Sequence, residues 1–214
     1  MKTALTALLP LSAVLAGCGG APAKLPEAAI ERAATCGVVA ANQARATVPD
    51  IKAPLSAAQQ GGILRYALLA GAEGEEFSRD RTAQVVSAMP ALGEDISEES
   101  IAALAPQCAA AYPMPQGPVE LPDDPLVAAQ GCDELSDFMR QALGAQGSAY
   151  KDQLDAYYAL NLELDSRLGP LLAARGVNGV EASEAEARKA FATIARLGEP
   201  TAVLEACSAR YVKG

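Results

Sequence analysis

The sequence predicts an all-α fold made of two disulfide-linked helical bundles, one in each half of the chain and related by an internal duplication. Three observations carry that prediction. About one residue in five is alanine, which favours helix because it gives up no side-chain entropy, and no stretch alternates apolar and polar residues between hairpin turns as strands do. Four cysteines fall into two pairs of similar span, Cys36 to Cys108 and Cys132 to Cys207, steps of 72 and 75 residues. Five of the fourteen prolines crowd into "YPMPQGPVELPDDP", from Tyr112 to Pro125, a density that no helix tolerates and that marks a linker.

In the first half, helices are expected over 27–46, 55–71, 76–89 and 97–112. Gly61 and Gly62 weaken the second, Pro90 is expected to end the third, and Asp95 with Glu98 reads as a capping pair for the fourth. In the second half, helices are expected over 125–144, 148–175, 183–197 and 200–212. Asp124 caps the helix that Pro125 begins, and Ser183 with Glu186 reads as a capping box. Leu154, Tyr157, Asn161, Leu164, Leu168 and Leu171 recur every three or four residues, an amphipathic stripe able to pack against two neighbours. Pro170 is positioned to kink its end.

The duplication rests on more than spacing. The second cysteine of each pair lies in the same helical frame, Leu104-x3-Cys108-x3-Tyr112 and Val203-x3-Cys207-x3-Tyr211, which places each trio on one helix face. A weaker echo is Tyr66-Ala67-Leu68 against Tyr158-Ala159-Leu160. Pairing Cys36 with Cys108 and Cys132 with Cys207 locks the first helix of each bundle to its last, and closing loops of this length stabilises by roughly 4 to 5 kcal/mol each in the chain-entropy account. Tyr112 and Tyr211 are expected to plug the space beside those bonds.

The fifth cysteine stands apart. Met1 and Lys2 precede an apolar run from Ala4 to Ala16, the length of a signal-peptide core and too short to span a bilayer. The run ends in Leu15-Ala16-Gly17-Cys18, which resembles the lipobox of bacterial lipoproteins. That resemblance implies a signal peptide over 1–17 and a first mature residue, Cys18, thioether-linked to diacylglycerol and N-acylated. Gly19 in the second mature position, where aspartate would retain the protein in the inner membrane, implies the periplasmic face of the outer membrane. Residues 18–26 then form a short lipidated tether, 27–112 the first helical domain, 113–124 the linker and 125–214 the second domain. Two or more acyl chains hold a protein firmly at a membrane, at about 0.8 kcal/mol per buried methylene.

Composition narrows the chemistry. Without Lys2, 16 basic side chains face 26 acidic ones, a net charge of −10, which disfavours nucleic acid and anionic surfaces as partners. The chain has no histidine and no tryptophan, so triads of the Ser-His-Asp kind, His-dependent zinc sites and stacking platforms for sugars are not expected. Cys36, Cys108, Cys132 and Cys207, no two closer than 24 positions, lack the paired spacing of structural zinc, and neither a metal nor a cofactor is expected. The acidic stretches "EGEEFSRD" and "GEDISEES" lack the ordering of a calcium loop and read as solvated helix starts. The leading expectation is a non-enzymatic envelope lipoprotein whose helical surface docks another envelope protein. A competing expectation is an interhelical pocket for a small apolar or peptide-like ligand near Tyr66, or near Tyr157, Tyr158 and Asn161. Last comes a carboxylate-dependent hydrolase using Glu73, Glu76, Glu94 or Asp95.

Overall fold

The computed structural model describes residues 23–50 and 52–212; the signal-like segment, Cys18 and most of its tether lie outside the described residues. The fold is all-α. Its helices are α1 (Ala29–Ala46), α2 (Ala57–Gly71), α3 (Arg79–Asp95), α4 (Glu98–Ala111), α5 (Pro125–Gly144), α6 (Lys151–Arg175), α7 (Val180–Ile194) and α8 (Pro200–Tyr211), with one 3-10 turn at Ser148–Tyr150. Among the described residues there is no strand.

Each half is organised around its first helix. α1 packs against α2, α3 and α4, and α5 packs against α6, α7 and α8. The eighth residue of each central helix is a cysteine, and each bonds to the last helix of its half, Cys36 to Cys108 and Cys132 to Cys207, with Cα atoms 5.4 and 5.9 Å apart. All four cysteines are buried. A glycine adjoins each central cysteine and faces the third helix of its half. A Cβ on Gly37 would meet the Met89 side chain of α3, and one on Gly131 would meet Ile194 and the Ala190 carbonyl of α7. The absence of a side chain is what brings the helices together there. Tyr112 packs beside the first disulfide and Tyr211 beside the second.

The halves are fused through one core. Leu68, Ala72 and Phe77 from the first half are buried in the same cluster as Leu135, Leu160, Phe191 and Leu204 from the second. Phe77 sits in the loop before α3 and stacks on Phe191 of α7 with ring centroids 4.0 Å apart. Its amide donates to the Arg188 carbonyl at 3.0 Å, and Glu76 pairs with Arg188 at 2.8 Å. On the other side of α2, the Tyr150 hydroxyl donates to the Leu55 carbonyl at 2.6 Å. Gly61, predicted to weaken α2, has a different role: a Cβ there would meet Glu199 Oε1 at 2.0 Å, so the bare position admits the side chain that caps α8.

Several boundaries differ from the sequence expectation. α3 starts at Arg79 and continues through Pro90 to Asp95. A proline removes one intrahelical bond, but Met89 and Leu92 pack on the core of the first half and hold the helix past it. The cap of α4 is Ser97, whose side chain accepts from the Ser100 amide, so Glu98, expected to share a capping pair with Asp95, is the first residue of the helix. α7 starts at Val180 behind Gly179, so Ser183 and Glu186 lie inside it and form no capping box. Asp124 does cap α5, accepting from the Leu126 and Val127 amides, and α6 runs on through Pro170 to Arg175.

Candidate functional site

The four residues that suggested a pocket fall in different surroundings. Tyr66 is half-buried on α2, edge-on to Tyr112 with centroids 5.4 Å apart, and burial raises its phenol above the usual range although Arg65 pulls the other way. Tyr157 is buried in the fused core, where desolvation, with Glu199 and Glu205 adding to it, pushes its phenol up to about 12. A phenol so placed stays protonated at neutral pH and serves packing. Tyr158, the next residue, is exposed on α6 with the Arg140 guanidinium 5.2 Å from its ring centroid.

Asn161 joins a buried polar cluster between α5 and α6. Ser136 Oγ donates to Asn161 Oδ1 at 2.9 Å, and Asn161 Nδ2 donates to Asp133 Oδ1 at 2.6 Å. Desolvation lifts the Asp133 carboxyl to about 6; the neighbouring Asp137, Asp165 and Glu134 raise it further while the bond from Asn161 opposes. The cluster fixes the register of α6 on α5, since each polar group finds its partner in only one alignment.

The residues that a hydrolase would need divide between the two ends of α3. Glu73 pairs with Arg81 at 3.2 Å and Glu76 with Arg188, both before or at the start of α3. Glu94 and Asp95 close the far end of that helix. Seventeen residues of α-helix span roughly 25 Å, against the roughly 5 to 10 Å that separates the paired carboxyls of glycosidases. Among the described residues, no three His, Cys, Asp or Glu side chains gather as metal ligands, and no helix is long and apolar enough to cross a membrane.

Two features of the surface have no counterpart in the sequence reading. The first is where the chain enters the fold. Gln107 on α4 accepts from the Leu25 amide at 3.1 Å and donates to the Ala23 carbonyl at 2.9 Å. The chain is thus fastened to α4, one residue from Cys108, before α1 begins. The second is a cleft of about 590 Å³ at the junction of the halves, walled by Arg32 of α1, Arg65 and Leu69 of α2, Glu73, Ala111, Tyr112, Pro113 and Arg196. Arg65 is only 4% exposed, and burial pulls its guanidinium below the ordinary range. It donates to the carbonyls of Tyr112 at 3.2 Å and Pro113 at 2.7 Å. Arg196 donates to the carbonyls of Ala72 and Gly74, and Arg32 to that of Glu27.

Sequence reasoning missed the cleft because its arginines are 33 and 131 positions apart and come from both halves. One signal was available. Gly61, Arg65, Leu68 and Ala72 recur at helical spacing, which puts an arginine on the apolar face of α2.

The fold and its surface define a small all-α protein cross-linked twice by disulfides. Comparison with protein-family models, with curated proteins and with solved structures finds no match for this chain.

Proposed function

We propose that this chain is a lipid-anchored, non-enzymatic protein of the bacterial cell envelope, held at the membrane by Cys18 and working through contacts of its helical surface. The observation that supports it is how the five cysteines divide. Four are committed to two buried disulfides, which form in exported, oxidising compartments. The fifth, Cys18, ends the lipobox-like tetrapeptide. Only residues 19–22 separate Cys18 from the Ala23 carbonyl that Gln107 holds, so the lipid lies within roughly 18 Å of the fold even with the chain fully extended. On this reading the α1 and α4 face of the first half, where the chain enters the fold, faces the bilayer, and the second half is left to meet a partner. With Gly19 after the cysteine, the membrane is the outer one and the face periplasmic.

Membrane fractionation of cells producing the wild type and Cys18→Ser tests this. The wild type is expected in the membrane fraction and extractable only by detergent, while Cys18→Ser keeps its signal uncleaved or is lost from that fraction. Equal partition of both proteins into the soluble fraction would overturn the proposal. Cross-linking in cells followed by purification of the lipidated protein is expected to bring down one stoichiometric envelope protein.

A further inference from the structure

The cleft between the halves departs from the character of the rest of the surface. The chain carries a net charge of −9, yet three guanidiniums line this one hollow and none is paired with a carboxylate among the described residues. The single acidic group in the wall, Glu73, is already engaged by Arg81. Arg65 is the anomaly. A guanidinium removed from water ordinarily has a carboxylate or phosphate beside it, because carbonyl dipoles offset only part of the lost hydration. Here it has two carbonyls and the Tyr66 ring, 5.9 Å from its Cζ. Among the described residues, two buried polar atoms on residues of the wall, Arg65 Nε and Tyr112 Oη, have no hydrogen-bond partner, as is also true of Gln130 Oε1, Arg167 Nε and Tyr211 Oη elsewhere. Unsatisfied buried donors are rare in folded proteins and call for an explanation, and for Arg65, whose side chain walls the cleft, a ligand there supplies one.

We infer that this cleft binds a phosphate monoester, with Arg32, Arg65 and Arg196 receiving the dianion and Leu69, Ala111 and Pro113 receiving the organic group attached to it. Three cations and one neutralised acid match a doubly charged ligand better than a single carboxylate, and the planar guanidinium fork suits phosphate oxygens. Among the described residues, Arg196 engages only Nη2 and Arg32 only Nη1, so both have donors left for a ligand. The same chemistry has two sources, a soluble phosphorylated metabolite or phosphatidic acid, the phospholipid whose headgroup is a phosphate monoester. The inference does not rest on lipidation of Cys18.

The full-length protein, purified in nonionic detergent, is titrated with glycerol phosphate and with dihexanoyl phosphatidic acid at constant ionic strength, and thermal unfolding is followed. Glycerol and dihexanoyl phosphatidylcholine are the controls. A ligand that prefers the native state raises the melting temperature in a saturable way. Arg32→Ala and Arg196→Ala, chosen because Arg65 is buried and its loss risks misfolding, are each expected to weaken the response roughly tenfold or more, the worth of a charge-assisted bond. A saturable shift with glycerol phosphate that both variants lose supports a soluble ligand. A shift only with phosphatidic acid, likewise lost, supports a headgroup. No saturable shift with either, or a shift that both folded variants retain, overturns the inference.

Discussion

At Gly131 the backbone of α5 comes so close to α7 that a Cβ would lie 2.9 Å from the Ala190 carbonyl oxygen and 2.1 Å from Ile194 Cγ1. Backbone cannot move aside cheaply, so Gly131→Ala is expected to destabilise by about 2 to 3 kcal/mol. Gly37, its counterpart beside Cys36, faces the flexible end of Met89 instead, and Gly37→Ala is expected to cost about 1 kcal/mol or less because Met repacks readily. Denaturant unfolding of both variants checks the order. Asp133 gives a pH signature. Its carboxyl, ordinarily near 3.8, titrates near 6 in the folded chain, so folding takes up a proton there. The stability this contributes is complete below about pH 4 and is lost as the pH rises through about 6. Asp133→Asn keeps the acceptor for Asn161 and removes the titration. The variant's stability is expected to fall less between pH 4 and 7 than the wild type's, by about 1 to 2 kcal/mol after allowing for partial screening by solvent. At this scale the sequence was legible where pattern carries meaning. The cysteines announce their partners by span, and Asn161 stands out in an apolar stripe. Arg65 was hidden because one charge in one helix acquires significance only from Arg32 and Arg196, which the tertiary fold supplies.

Helices follow the local signals until packing overrules them. Ser56 and Gln59 form a complete capping box on α2, Ser78 caps α3 and Asp124 caps α5, all short-range chemistry that one stretch of sequence contains. α7 starts ahead of Ser183, behind Gly179 and with its first residues exposed, whereas α3 runs past Pro90 because Met89 and Leu92 pack on the core of the first half. Such contacts involve residues far along the chain. The loop from Glu73 to Ser78 read as a solvated acidic stretch, and its one aromatic residue is the clue to what it does. Phe77 crosses to the other half, stacks on Phe191, and is only 3% exposed. Phe77→Ala leaves a cavity between the halves and is expected to lower the unfolding free energy by about 3 to 4 kcal/mol. Conservative replacement by leucine is expected to restore most of it, measured by the same denaturant titrations.

For the molecule as a whole, the sequence gives two helical halves each closed by a disulfide, and the structure has them. What it did not reveal is that α2 lies against both α5 and α8, so that the proline-rich stretch from 113 to 124 joins parts that share a core. A shared core couples their unfolding. Calorimetry of the oxidised protein is expected to record one cooperative transition; two resolved transitions would mean that the Phe77 and Leu68 contacts do not bind the halves together. The proposed placement of the body near a membrane depends on the other end of the chain, where Gln107 holds Ala23 and Leu25 a few residues from Cys18. The most direct measurement of that claim is the intact mass of the protein purified from membranes, with peptide mapping of its N-terminus. The account predicts a chain that begins at Cys18, carries a diacylglyceryl group and an N-acyl chain, and holds its other four cysteines in the 36–108 and 132–207 disulfides. A chain that begins elsewhere with Cys18 unmodified would contradict it.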